Sequence, residues 1–271
     1  MLPERKSSIL GKILEHKKVR VESAKKTMPA SALEEALSQR PALRNFAGGL
    51  HREKDQKAAI IAEIKRKSPS KGVLSPNLDA AKTAKNYENG GAAALSILTE
   101  ADFFNGCTAD LVKARNATDL PVLRKDFIFS SYQVLESAVL GADAILLIAR
   151  MLDPGLLKDL AATAEALGMA VLHEINHADE IPAVLAANPK IIGINNRDLA
   201  SFDTDVSHAP RLFQKLPDTV LPVALSGIST PDDIQMTRKQ GIHSFLVGEA
   251  LVKSSDPACF LEKLASAGGA L

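Results

Sequence analysis

Eight short apolar runs alternate along the chain with longer stretches whose apolar residues recur every three or four positions. The runs lie at 58–64, 93–98, 121–123, 144–148, 169–172, 190–194, 221–225 and 245–247. Helical spacing fills 79–88, 109–117, 131–140, 154–167, 178–187, 210–216, 231–239 and 257–265. In the fourth of these stretches Leu156, Leu157, Leu160, Ala161, Ala164 and Leu167 mark a helix buried on one side. Two helices open near a proline and close on a glycine, Pro154 to Gly168 and Pro231 to Gly241. Continuous apolar strands separated by helices predict a parallel sheet covered on its outer side. Eight such units in about 215 residues predict an α/β protein, a (β/α)8 TIM barrel occupying 58–271. A doubly wound sheet would need a glycine-rich phosphate turn after its first strand. The turn here reads Lys67-Ser68-Pro69-Ser70-Lys71-Gly72, which favours the barrel.

Residues 1–57 stand outside this rhythm and predict an N-terminal helical extension. Ile9, Leu10, Ile13 and Leu14 form a stripe among basic residues, and Ser31 with Glu34 has the spacing of a capping box. A basic amphipathic start can lie on a membrane, but the expectation is a cap that packs its stripe against the barrel.

Apolar residues make up 46% of the 271, enough for a large core. Lys and Arg total 33 against 32 Asp and Glu, so a net charge of +1 gives no electrostatic case for nucleic acid. Cys107 and Cys259 have no ligand-like spacing and suit a reducing cytoplasm. No apolar stretch reaches the ~18 residues needed to span a membrane. The expectation is a soluble cytoplasmic monomer.

In such barrels chemistry sits where strands end and the following loops begin. The strand ends carry Glu63, Lys65 and Ser68; Thr99 and Glu100; Lys125 and Asp126; Arg150; His173 and Glu174; Asn195, Asn196 and Arg197; Ser226 and Gly227; Gly248 and Glu249. Period 2 puts Glu63 and Lys65 on one face. Ser226, Gly227, Gly248 and Glu249, in the loops after the last two strands, predict a phosphate site. Glu249 is expected to offer its amide and turn its carboxylate away. Lys65, Lys125, Glu63 and Glu174 converge over the mouth. Clustered lysines release protons more easily, and carboxylates in an apolar mouth hold theirs unless cations counter them. Such a set supplies a general acid and a general base. Phe104, Phe127 and Leu147 are candidate walls for an aromatic ring. His173-Glu174-Ile175-Asn176-His177 matches the H-E-x-x-H zinc signature, but Met169–Leu172 reads as a strand running into it. In extended chain the imidazoles lie ~13 Å apart, too far to share a metal. No metal is expected.

With these residues placed, the chain resembles the indole-3-glycerol phosphate synthase family. The resemblance rests on Ile61-Ala62-Glu63-Ile64-Lys65-Arg66-Lys67-Ser68-Pro69-Ser70, on Pro121-Val122-Leu123-Arg124-Lys125-Asp126-Phe127, and on Gly193-Ile194-Asn195-Asn196-Arg197-Asp198-Leu199. Further matches are Phe104-Asn105-Gly106, His173-Glu174-Ile175-Asn176, Ser226-Gly227-Ile228 and Phe245-Leu246-Val247-Gly248-Glu249. It implies cofactor-free closure of 1-(2-carboxyphenylamino)-1-deoxyribulose 5-phosphate to an indole, with loss of CO2 and water, in tryptophan biosynthesis. By resemblance Lys125 is the general acid and Glu174 the general base. Lys65 neutralises substrate anion and delivers a later proton, with Glu63 tuning it. Asn195 and Arg197 orient the carboxylated aryl group and sugar hydroxyls. Docking to other enzymes of the pathway is a further implication. One departure stands out: the family usually carries Glu where this chain has Leu225, which should shift the pH–rate profile. Two rival readings fit the same residues, a lysine Schiff-base barrel of the aldolase type and an altered barrel that binds phosphorylated ligands without turnover.

Overall fold

The computed structural model describes residues 9–69, 71–198 and 203–268. The basic start of the chain, Ser70 in the first turn and Leu199 lie outside these residues. Eight parallel strands close into a barrel in chain order: β1 (Ala59–Ile64), β2 (Ala94–Leu98), β3 (Val122–Lys125), β4 (Ala144–Ile148), β5 (Ala170–Ile175), β6 (Ile191–Asn195), β7 (Leu221–Leu225) and β8 (Ser244–Val247). β8 returns to β1, with Ala59 beside Ser244 and Ile61 beside Leu246. Before the barrel come α1 (Ile9–Thr27), α2 (Ala30–Ala36) and α3 (Phe46–Leu50). Around it follow α4 (Ala80–Asn89), α5 (Thr108–Ala117), α6 (Ser131–Val139), α7 (Pro154–Ala166), α8 (Ile181–Leu185), α9 (His208–Phe213) and α10 (Pro231–Arg238). The short α11 (Glu249–Lys253) and α12 (Pro257–Ser266) complete the outer layer.

The strands are apolar on both faces because both faces are covered. Ile60, Ile61, Leu95, Ile97, Leu123, Ile145, Leu172 and Ile192 are all buried, each contributing roughly 1.5–3 kcal/mol. Register fixes which residues look inward, since paired residues share a face. Glu63 lies beside Ser96, Ser96 beside Leu123, Leu146 beside Leu172, Glu174 beside Gly193, and Asn195 beside Leu225. Several helix starts are fixed by side chains: Asp79 accepts from the Ala81 and Lys82 amides, and Asp153 from Leu156.

Two local expectations are corrected. Helix α2 starts at Ala30 after Pro29, so Ser31 lies inside the helix and does not cap it. The stretch predicted as a helix over 178–187 is a 3-10 turn, Ala178–Glu180, leading into the five-residue α8.

The extension grips the barrel at both ends. On the mouth side, Lys17 of α1 pairs with the buried Asp126 at 2.6 Å, and Arg20 makes a two-pronged pair with Asp102 at 2.6 and 2.5 Å. His16 stands edge-on to Phe103 with ring centres 5.3 Å apart. On the far side, Arg40 donates to the Leu167 carbonyl and Arg44 to that of Leu120, both in loops entering strands.

Candidate active site

The strand ends and α1 enclose a cavity of about 420 Å³. β1 supplies Glu63, only 4% exposed, because its side chain continues the inward-facing series of an otherwise apolar strand. Burying a lone carboxylate is expensive, and here Lys65 answers it at 2.8 Å. Space for Glu63 comes from Gly248 on the neighbouring strand end, where a Cβ would lie 2.5 Å from Glu63 Oε1. Burial pushes the Glu63 carboxyl up, but Lys65, Lys125 and Arg197 outweigh it and hold the group below its usual value. The carboxylate is therefore the case in which cations win.

Across the cavity, Lys125 at the end of β3 stands 3.6 Å from Glu174 Oε2 on β5. The other carboxylate oxygen accepts from Asn195 Nδ2 at 3.0 Å, which fixes the carboxylate plane and leaves Oε2 toward the ammonium. Asn195 Oδ1 accepts from the Arg197 amide at 3.0 Å, so one asparagine orients both Glu174 and the loop carrying Arg197. Buried Asn176 locks the same loop by donating to the Asn195 and Arg197 carbonyls at 2.7 and 3.0 Å. The Arg197 guanidinium reaches the rim, 3.7 Å from Glu249.

Phe104 and Phe127 form one wall, with ring centres 5.9 Å apart and planes tilted by 36°. Phe104 is placed there by buried Glu100, whose carboxylate accepts the amides of Asp102, Phe103 and Phe104. Glu100 thus organises a loop and does not face the cavity. The rim opposite holds Ser226, Gly227, Gly248 and Glu249, and Ser68 also lines the cavity.

Two expectations fail here. Leu147 pairs with His173 and faces the outer helices; because strand side chains alternate, Leu146 and Ile148 take the inward positions instead. The Glu249 carboxylate does not turn away from the mouth, because Lys253, one helical turn on, holds it at 2.6 Å and Arg197 faces it across the rim. Burial pushes that carboxyl up, and Lys253, Lys65 and Arg197 bring it below its usual value.

Several lining residues carried no assignment at the sequence level: Ile9, Leu10 and Ile13 of α1, together with Lys71 and Lys253. The apolar stripe marked the first three as buried, but nothing in it said that they roof a cavity. Leu225 is inward-facing and buried, yet it packs over Gly193, where a Cβ would meet its Cδ1 at 2.7 Å, and does not line the cavity. The H-E-x-x-H segment is extended, with His173 and Glu174 on opposite faces of β5. Among the described residues no group of three or more His, Cys, Asp or Glu is placed to hold a metal ion, and no helix is long and apolar enough to cross a membrane.

The mouth of this TIM barrel joins paired ammonium and carboxylate groups to a glycine-bearing rim after its last two strands, the place where barrels of this fold frequently hold a phosphate group. Two solved barrels share the fold: thiamine phosphate pyrophosphorylase from Pyrococcus furiosus (TM-score 0.57, 15% identity, 78% of this chain and 95% of that one) and KGPDC from Streptococcus mutans in complex with D-R5P (TM-score 0.59, 13% identity, 76% and 95%). Sequence is more specific. Residues 10–264 match the family model of indole-3-glycerol phosphate synthase. The chain is 45% identical over 259 residues to the indole-3-glycerol phosphate synthase of Desulfosudis oleivorans, covering 95% of this chain and 98% of that protein. It is 44% identical over 260 residues to that of Laribacter hongkongensis, covering 95% and 99%. The chain belongs to the indole-3-glycerol phosphate synthase family.

Proposed function

We propose that this chain closes 1-(2-carboxyphenylamino)-1-deoxyribulose 5-phosphate to indole-3-glycerol phosphate, a decarboxylating lyase reaction of tryptophan biosynthesis. The observation that carries the reading is the meeting of Lys125 and Glu174, 3.6 Å apart, with the Glu63–Lys65 pair in the same cavity. Family membership favours this reaction over a Schiff-base aldolase or a barrel without turnover.

In this reading the substrate phosphate sits against Ser226, Gly227, Gly248 and the Glu249 amide, and the aryl ring against Phe104 and Phe127. The planar guanidinium of Arg197 takes the aryl carboxylate, releasing Glu249 to Lys253. Ser68 and Asn195 contact the sugar hydroxyls. Lys125 gives its proton to the ketone oxygen as the carboxylated ring carbon bonds to the ketone carbon. Loss of CO2 returns the electrons of the broken bond to the ring. The new hydroxyl then leaves as water after protonation by Lys65, and Glu174 accepts the proton released as the indole forms. Each positioned acid or base is worth about 10²–10⁴ in rate. The extension of residues 1–57 and the barrel of 58–271 work as one domain, with α1 roofing the site. Exposed free thiols at Cys107 and Cys259 support a reducing cytoplasm; the chain acts as a monomer that can dock to other enzymes of the pathway.

The test is direct. Supplying the substrate should produce an indole fluorescence rise, seen over a low background because the chain has no Trp. Binding of the substrate with no indole formed at any pH would refute the assignment.

A further inference from the structure

Asn196 is buried behind the cavity, just past the end of β6, and all its polar groups are engaged. Its amide donates to the Leu225 carbonyl at 2.9 Å and its carbonyl accepts from the Asp205 amide at 3.0 Å. Its side-chain Oδ1 accepts from the Ala209 amide at 2.8 Å, and Nδ2 donates to the Ser226 carbonyl at 3.0 Å. The Ala209 N–H can only donate, so the carboxamide has one orientation, with its NH2 toward Ser226. Asn196 therefore holds two successive carbonyls at the point where β7 turns into the rim. That turn is strained: Ser226 has φ 64° and Gly227 has φ 80°, a left-handed conformation costly for serine. It is also tightly packed, since a Cβ on Gly227 would lie 2.5 Å from Thr204 Cγ2 and 3.7 Å from Asn196 Cβ.

We infer that Asn196 is the positioning residue of the phosphate grip. It touches neither substrate nor reacting atoms, and acts by keeping Ser226 and Gly227 in the conformation that presents the rim to an anion. The inference rests on the reading of Ser226 and Gly227 as phosphate positions. The same residue ties that rim to β6, next to Asn195, which orients Glu174 through its own hydrogen bond.

The experiment measures inhibition by inorganic phosphate and, separately, by anthranilate, an aromatic carboxylate that lacks phosphate. It compares wild type, Asn196→Ala and Asn196→Asp. The aspartate variant keeps the acceptor for Ala209, loses the donor to Ser226 and adds a negative charge; anthranilate, itself an anion, reports the effect of that charge, so the variant serves if the alanine variant fails to fold. The expected result is phosphate inhibition weakened about tenfold, the worth of one hydrogen bond, with anthranilate inhibition within about twofold. KM should rise about tenfold while kcat stays within about threefold. Phosphate inhibition unchanged in the variants, or both inhibitors weakened alike, would overturn the role of Asn196. Failure of phosphate to compete with substrate in wild type would instead overturn the phosphate positions themselves.

Discussion

Buried ionisable residues of this barrel show two solutions, an answering opposite charge and neutrality. Glu63 is answered by Lys65, and the pair exists because Gly248 leaves room for it. Gly248→Ala should push the Glu63 carboxylate aside and lower kcat/KM by about tenfold to a hundredfold, the usual cost of a displacement near 1 Å; steady-state kinetics check this. His173 illustrates the neutral case. Burial pushes its imidazole down to about 4, against a weaker opposing contribution from the Ile191 backbone. In the unfolded chain histidine titrates near ~6.5, so below that value the unfolded state binds a proton that the folded state refuses. Stability associated with His173 is therefore full above about pH 6.5 and falls as pH drops toward about 4. Urea unfolding across this range should show a shallower loss for His173→Gln than for wild type, and equal slopes would contradict the burial argument. Leu225 is the residue whose consequence is least local. Leu225→Glu adds a carboxylate to the inward face beside Asn195 and Leu246 and should move the pH–rate profile; if both limbs stay in place, the electrostatic account of the mouth is wrong.

At the scale of elements, the decisive contact is between α1 and the end of β3. Asp126 is held at about 2, burial raising it but Lys17 and Arg124 outweighing that. With an unfolded value of ~3.9, its contribution to stability is complete above about pH 4 and disappears as pH falls through about 2. Lys17→Met removes one partner and leaves Asp126 with Arg124 and the Thr99 hydroxyl. The expected cost is about 3 kcal/mol, the lower end for breaking a buried pair, measured by denaturant titration. Because Ile9, Leu10 and Ile13 roof the cavity, KM should rise as well. The elements were legible to different degrees. Strands and long helices were readable because an apolar run or a 3.6-residue period extends over enough positions to outvote any one residue. The start of α2 is not legible because the Ser31–Glu34 spacing has the form of a cap, whereas the backbone places Ser31 already inside the helix. Likewise α8 is short because the chain spends the first residues of that stretch in a 3-10 turn, which periodicity does not distinguish from a helix.

For the whole molecule, closure is what turns a list of strand-end residues into a site. Period 2 along β1 was enough to pair Glu63 with Lys65. It was not enough to say which of Leu146 and Leu147 looks inward, a choice of one residue that flips the face. Nor does any local pattern reveal that the Glu249 carboxylate meets Arg197 from another strand, since the two are joined only by the curvature of the barrel. The central claim is that this closure makes an acid and a base of Lys125 and Glu174. The most direct measurement is turnover of the carboxyphenylamino-deoxyribulose phosphate by Lys125→Met and Glu174→Gln, followed by indole fluorescence. The account predicts kcat lowered about a hundredfold or more in each, with inhibition by inorganic phosphate retained. Near-wild-type turnover in either variant would contradict it.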